Sequence, residues 1–216
     1  MHYKIGNVIV KTEYAAKSVL QPNQTILKKI LSLNKNTTLL DYGCGKLRYT
    51  IPLSSKIKSI VAVDSAEQLE RIQKIGQVNT QLCNYVKENL KNVKVYSLNA
   101  KTWQNKKYDY ILCINVLPVI PIVKLRKQII NMLTNLLKKN GILLITCQYN
   151  NSYFDNYQNY ENSKKHHDGW LLANPGLSSY YAIIGPPKLT EYVKLLDTKK
   201  YKIYSIKDTA YLEITN

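Results

Sequence analysis

The chain reads as an α/β protein: an open, doubly wound, mostly parallel sheet of seven strands, with helices on both faces and an antiparallel strand at the C-terminal end. Three observations predict it. Residues 38–41 form a short apolar run closed by Asp41 and followed at once by Gly43 and Gly45, the way a buried parallel strand ends before a tight turn. A second apolar run, 58–64, closes on Asp64, 23 residues after Asp41, the spacing of a strand, a helix and the next strand. Residues 201–206 and 210–215 read as two more strands, joined antiparallel through Lys207, Asp208 and Thr209.

The composition fits one such domain. At 216 residues the chain can bury a sizeable core, and 45% hydrophobic with 21% charged residues argues against disorder. The longest apolar runs, such as 141–145, are too short to span a bilayer, and the N-terminal residues lack the apolar stretch of a secretory signal. Cys44, Cys83, Cys113 and Cys147 are scattered without a Cys-x-x-Cys pair, which favours reduced, structural thiols over disulfides or a metal site. A cytoplasmic protein without a membrane partner is expected.

The net charge is +17, and of 31 basic residues only Arg48, Arg71 and Arg126 are arginine. Abundant Lys, Asn, Ile and Tyr point to an AT-rich genome as much as to surface selection. Scarcity of acid is the sharper signal: between 86 and 140, eleven basic residues face only Glu88 and Asp109. A basic surface favours polyanions, so nucleic acid is a candidate partner.

Residues 1–37 are expected to form a helical arm or cap ahead of the sheet domain, 38–216. Asn23, Gln24 and Thr25 can cap a helix running to Leu33, with Ile26, Leu27, Ile30, Leu31 and Leu33 on its apolar face. Upstream, 12–18 reads as a short helix or an ordered arm. At the first strand's end Asp41 sets a carboxylate at the sheet edge where open α/β sheets bind ligands. Gly43 and Gly45 let backbone approach a ligand closely, and 48–51 can open a helix whose free N–H groups face it.

The run Asp41-Tyr42-Gly43-Cys44-Gly45 is similar to the Asp-x-Gly-x-Gly turn of the class I S-adenosylmethionine-dependent methyltransferases, whose sheet is Rossmann-like. A dinucleotide site would instead want a third glycine, where this chain has Arg48. Many family members carry a further glycine at the position of Leu47, and this chain does not. The resemblance implies S-adenosylmethionine as cofactor, with S-adenosylhomocysteine as product. It places Asp41, Tyr42, Gly43 and Gly45 near the methionine end; by their place in the turn alone, Lys46 or Arg48 could pair with the carboxylate. N-terminal segments of such enzymes often lie over the cofactor, which makes Tyr14 and Lys17 gate and substrate candidates; surface packing is the alternative.

Asp64, with Ser65 beside it, would reach the ribose hydroxyls; equally, this strand end could cap the next helix. A helix then runs over 66–75 and a second helical piece over 80–90. The third strand, 94–98, ends at Asn99 and Ala100, where the family usually has an acid or amide near the adenine amine; an ordinary turn is the other reading. The fourth, 108–117, resembles the family's fourth motif and would place Asn115 and Val116 at the methyl-transfer site. It lacks the Asn-Pro-Pro-Tyr or Asp-Pro-Pro-Tyr signature of amino-methylating DNA enzymes. Residues 123–139 read as a helix with Lys138 and Lys139 at its negative end and Gly141 as its stop. A fifth strand, 141–146, follows.

Residues 150–181 form an aromatic-rich insertion (Tyr153, Phe154, Tyr157, Tyr160, Trp170), too long for an ordinary connection. A helix over 188–196 precedes the closing strand pair. Tyr149, Tyr180 and Tyr181 are substrate candidates that could stack on a base or simply pack the insertion. His166, His167 and Asp168 suggest a base or a metal site, yet adjacent histidines lack ligand spacing and are most often solvated. Methyl transfer from a sulfonium needs chiefly positioning, so no catalytic residue is assigned. The acceptor is nucleic acid, DNA or RNA, or a small molecule under a lid; a cofactor-binding interaction module without activity is the third reading.

Overall fold

A computed structural model describes residues 1–17, 20–150, 156–174, 178–194 and 200–216, without the side chains of 156 and 157. Ser18, Tyr153, Phe154 and the end of the helix expected over 188–196 lie outside the described residues, as does the Tyr157 side chain.

The chain opens with a hairpin, β1 (His2–Ile5) and β2 (Val8–Lys11), turned at Gly6 and followed by a 3-10 turn, Thr12–Ala15. The helical arm is thus corrected at its start. Tyr3 and Val10 sit opposite each other and are both buried, a period-two pattern that suits strands. Helix α1 (Gln24–Leu31) starts as expected but ends two residues short of Leu33, and Leu31 is exposed; Asn23 Oδ1 accepts from Thr25 N at 3.0 Å and Ile26 N at 3.2 Å, a cap that contributes about 1 kcal/mol.

Next come β3 (Thr38–Tyr42), α2 (Thr50–Ser54), β4 (Ser59–Asp64) and α3 (Ala66–Glu70). The helix expected over 66–75 ends early. Arg71 is extended, and a second hairpin, β5 (Gln73–Ile75) and β6 (Val78–Thr80), turns at Gly76, whose φ of 60° a helix cannot accept. Then follow α4 (Leu82–Asn89), β7 (Val93–Ser97), α5 (Lys101–Gln104), β8 (Tyr108–Ile114), α6 (Val123–Asn135) and β9 (Leu137–Gln148).

The helix expected to reach Lys139 therefore stops at Asn135, and Lys138 and Lys139 are strand residues. Leu137 pairs with Tyr108 across the sheet, and Lys138 Nζ lies 3.0 Å from Asp109 Oδ2 on the neighbouring strand. Both lysines fall in the bulge between the Tyr108–Leu137 and Tyr110–Ile142 pairs, and those flanking pairs outweigh the lysines' fit to a helix end. Gly141 is not a helix stop: a Cβ there would lie 2.9 Å from Tyr108 O. The chain closes with β10 (Ser163–His166), β11 (Gly169–Leu172), β12 (Ser179–Ala182), α7 (Pro186–Val193), β13 (Lys200–Ile206) and β14 (Thr209–Thr215).

Seven strands form the main sheet in the order β7-β4-β3-β8-β9-β14-β13. β7, β4, β3, β8 and β9 pair parallel, and β14 runs antiparallel to both β9 and β13. Side chains alternate across the pleat. Leu40, Ile111 and Leu143 face one core with α5, α6 and α7, while Leu39, Leu112 and Leu144 face another with α1 to α4. From β3 the order runs one way to β4 and β7 and the other way to β8 and β9, so the carboxyl ends of β3 and β8 border the switch point where such sheets bind ligands.

A small antiparallel sheet, β10-β11-β12, is built from the aromatic insertion. The N-terminal hairpin joins it through the bridge Val10–Ser178, with Lys11 N donating to Ser178 O at 3.1 Å. Among the described residues no helix is long and apolar enough to cross a membrane.

Candidate active site

The turn after β3 is held by its neighbours. Gly43 N and Cys44 N donate to Val63 O at 2.8 and 3.1 Å. Gly43 has φ 74° and Gly45 φ 57°, backbone that side chains rarely adopt. A Cβ on Gly43 would lie 2.4 Å from Val116 Cγ2, and one on Gly45 would lie 3.3 Å from the Ala16 Cβ. Leu47 stands where the resembled family carries glycine, and it too has a positive φ, 61°, with its side chain fully buried. The strain there, about 1–2 kcal/mol, is offset by about 1.5–3 kcal/mol from burying a leucine.

Asp41 is buried at the end of β3, and its Oδ2 accepts from Thr50 Oγ1 at 2.6 Å. Burial pushes its pKa up to about 6; the Thr50 hydrogen bond opposes this and the charge of Asp64 adds to it. The folded value lies above the unfolded one, so the stability this group contributes is fully present below about 4 and is lost as pH rises through about 6. Asp41→Asn keeps an acceptor for Thr50 without the charge. Between pH 4 and pH 8 the stability difference is expected to shift by about 1–3 kcal/mol in the variant's favour. Denaturant unfolding at both pH values checks this; a constant difference would show that Asp41 carries no buried charge.

At the end of β4, Asp64 Oδ2 accepts from Gly45 N and Oδ1 from Ser65 N, both at 2.8 Å. Burial raises its pKa, and the two backbone bonds work against that. Ser65, not Asp64, caps α3, its Oγ accepting from Gln68 N at 3.3 Å. Each Asp64 oxygen keeps a second lone pair for a ligand.

A cavity of about 520 Å³ opens over these strand ends, within the size range of small-ligand sites. Asp41, Tyr42, Gly43, Gly45 and Asp64 form its base, and Lys46 and Arg48 line it beside them. The N-terminal segment covers it with Glu13, Tyr14, Ala16 and Lys17. Its far wall combines Asn115, Val116 and Ile120 with Leu172, Tyr180 and Tyr181 of the small sheet. Asn115, at φ 56°, accepts from Gln148 N at 2.8 Å and donates its own N–H to Thr146 O at 2.9 Å, so it ties β8 to β9 at their ends. Burial, foremost, lowers the pKa of Lys17, Lys46 and Arg48; the Arg48 charge adds to the effect on Lys17 and the Arg71 charge to that on Lys46.

The structure does not bring every expected residue to this wall. Ser65, Asn99, Ala100 and Tyr149 are not among the lining residues, and Asn99 is exposed. Tyr149 instead packs its ring on Gly185, where a Cβ would lie 3.1 Å away. Asp168 is not a free base. Its Oδ2 accepts from Arg126 Nη1 at 2.6 Å, and its Oδ1 accepts from Tyr180 Oη at 3.0 Å. Among the described residues no group of three or more His, Cys, Asp or Glu is arranged to hold a metal ion.

Sequence reasoning passed over three residues. Arg126 is fully buried and joins four parts of the fold. Its Nε donates to Ile120 O at 2.7 Å, Nη1 also to Tyr192 Oη at 2.8 Å, and Nη2 to Tyr180 Oη at 3.1 Å. Burial works to lower its pKa, but Asp168 and Tyr192 outweigh it and push it up. Arginine's rarity in a lysine-rich chain was the available signal: a rigid fork with five donors is what lysine cannot replace. The other two, Glu13 and Gln68, carried no sequence signal.

Residues 33–199 match the family described as "Methyltransferase domain". The chain is 33% identical over 214 residues to YmfD, an uncharacterised protein of Escherichia coli K12, spanning 99% of this chain and 96% of that one. It is 24% identical over 111 residues to the 23S rRNA (uracil(1939)-C(5))-methyltransferase RlmD of Aliivibrio fischeri, covering 47% of this chain and 24% of that protein. Its fold matches an S-adenosylmethionine-dependent methyltransferase from Clostridium acetobutylicum with a TM-score of 0.61 at 16% identity, over 94% of this chain and 93% of that one.

Proposed function

This chain belongs to the methyltransferase domain family, with S-adenosylmethionine as cofactor, and from that premise we propose that it methylates a small-molecule acceptor held in the covered cavity. The observation that carries this reading is the cover itself: the 12–17 segment and the small sheet both line the same cavity as Asp41 and Asp64. Such a roof favours a compact acceptor over an extended one.

The residues present fit the cofactor. Asp64 offers spare lone pairs toward ribose hydroxyls, while Lys46 and Arg48 stand at the cavity wall to pair with a carboxylate. When bound, S-adenosylmethionine supplies an activated methyl group on a sulfonium that is already a good leaving group. The chain's own work is to position. Asn115 holds the ends of β8 and β9 together, and Val116, Ile120, Tyr180 and Tyr181 present an apolar and aromatic wall to the acceptor.

A second reading, nucleic acid as acceptor, draws on the charge of +17 and on the partial likeness to the rRNA enzyme. Transfer of labelled methyl from S-adenosylmethionine into metabolite, RNA and DNA pools separates the two. Label in the metabolite pool alone is the expected result. Label in RNA or DNA that falls steeply with salt would replace the small-molecule reading, and cofactor binding without transfer to any pool would leave an interaction module. Asp64→Ala should weaken S-adenosylhomocysteine binding more than about tenfold by calorimetry; near-normal affinity would remove the ribose assignment.

A further inference from the structure

Three cationic side chains line the cavity: Lys17, exposed on the covering segment, and Lys46 and Arg48, half-buried at the glycine turn. Among the described residues none of them forms an ion pair with an acid. The acids of the same wall are engaged elsewhere. Asp41 accepts from Thr50, Asp64 accepts from the Gly45 and Ser65 amides, and Glu13 pairs with His2 and the Met1 amine. Arg48 is held in place, since Nη2 donates to Gln21 O and the guanidinium carbon lies 5.3 Å from the centre of the Tyr49 ring. Burial lowers the pKa of Lys17, the Arg48 charge adds to this and Asp208 opposes it, so Lys17 stands within the field of Arg48.

Like charges gathered on one wall repel, and a cleft with low-dielectric sides concentrates their field. The cofactor relieves little of this. S-adenosylmethionine brings a single carboxylate against an ammonium and a sulfonium, so it matches one cation at most and adds positive charge of its own. The balancing negative charge falls to the acceptor. A fixed guanidinium fork beside a flexible ammonium suits a carboxylate or a phosphate. Across the cavity Val116, Ile120, Leu172, Tyr180 and Tyr181 present apolar and aromatic surface, which suits the body of an organic molecule.

We propose that the acceptor is a small organic anion, its carboxylate or phosphate held by Lys17 and Arg48 and its apolar body laid against the aromatic wall. The proposal rests on the small-molecule reading above and deepens it. Of the two turn cations, Lys46 keeps the cofactor's carboxylate, and Arg48, whose charge reaches Lys17, turns to the acceptor. The anionic group is the handle by which the acceptor is held, whichever of its atoms takes the methyl.

A metabolite extract passed over an anion exchanger at neutral pH supplies two probes, the retained anions and the flow-through. The whole protein is incubated with each, together with methyl-labelled S-adenosylmethionine. Transfer to acceptors of the retained fraction alone is the expected result. With that fraction, Lys17→Met should raise KM at least about tenfold, as loss of a hydrogen bond between charged groups does, and change kcat less. Lys17→Arg keeps the charge and should restore most of the KM. By calorimetry, S-adenosylhomocysteine affinity in Lys17→Met should fall less than about threefold. Without turnover, the retained fraction should raise the Tm of the S-adenosylhomocysteine-loaded protein more than the flow-through does, and Lys17→Met should lose that difference. Transfer to flow-through acceptors, an unchanged KM in Lys17→Met, or a loss of S-adenosylhomocysteine affinity as large as the rise in KM would overturn the proposal and leave the small-molecule reading standing. Transfer to RNA or DNA alone, or to no pool, would overturn that reading itself.

Discussion

Replacing Arg126 with methionine is expected to cost the fold about 3–5 kcal/mol, seen as a fall in Tm of roughly 6–20 °C for a chain of this size. Methionine fills much of the volume, so the loss is electrostatic. Asp168, whose side chain is only 19% exposed, loses the guanidinium 2.6 Å away, and Tyr180 and Tyr192 lose a common donor. Burial works to raise the pKa of Asp168, but the Arg126 bond and charge outweigh it and hold the carboxyl below its usual range. A depressed acid contributes stability above its unfolded pKa and loses it as pH falls through the folded value. The deficit of the variant should therefore shrink as pH falls below about 4 toward the depressed folded value, through which Asp168 takes up a proton. A second change, Asp168→Asn, should recover part of the loss at neutral pH by removing the stranded charge. Unfolding curves for both variants at two pH values decide this, and a single variant as stable as wild type would reduce Arg126 to a spectator.

Gly43→Ala should fail at the turn. The added Cβ would meet Val116 Cγ2 at 2.4 Å, and alanine must also hold φ at 74°. Overpacking of this kind costs about 1–3 kcal/mol, and the left-handed backbone adds about 1–2 kcal/mol. If the turn moves to escape, S-adenosylhomocysteine affinity should fall at least about thirtyfold. Read from the sequence, the glycine is there to make room for the ligand; the structure adds a nearer reason, the close approach of Val116 from the exit of β8. Val116→Ala on the Gly43→Ala background separates the two. It relieves the contact and leaves the backbone strain, so partial recovery of affinity is expected. No recovery would assign the whole loss to strain or to the ligand.

Much of the fold was legible because it is written in local patterns. Short apolar runs closed by Asp41 and Asp64 marked adjacent parallel strands, and Asn23 marked the start of α1 two and three residues before the amides it caps. Where the reading went wrong, a local preference competed with a partner far along the chain. Lys138 and Lys139 suit a helix end, yet the pairing of Leu137 and Ile142 with β8 on either side draws them into β9 as a bulge. Residues 71–75 continue a helical pattern, yet Gly76 turned them into a hairpin.

The candidate site divides in the same way. By itself the sequence determined the glycine turn and the two strand-end acids, since each follows from spacing within a few tens of residues. Only the tertiary structure decided what surrounds them. It put Val116 against Gly43, brought Glu13 and Gln68 to the wall, left Asn99 exposed, and gathered Asp168, Tyr180 and Tyr192 on Arg126 from 42, 54 and 66 residues away. The physical reason is that a hydrogen bond or a steric contact depends on distance in space. Periodicity reports which face a residue takes, and only packing reports which residue it meets there.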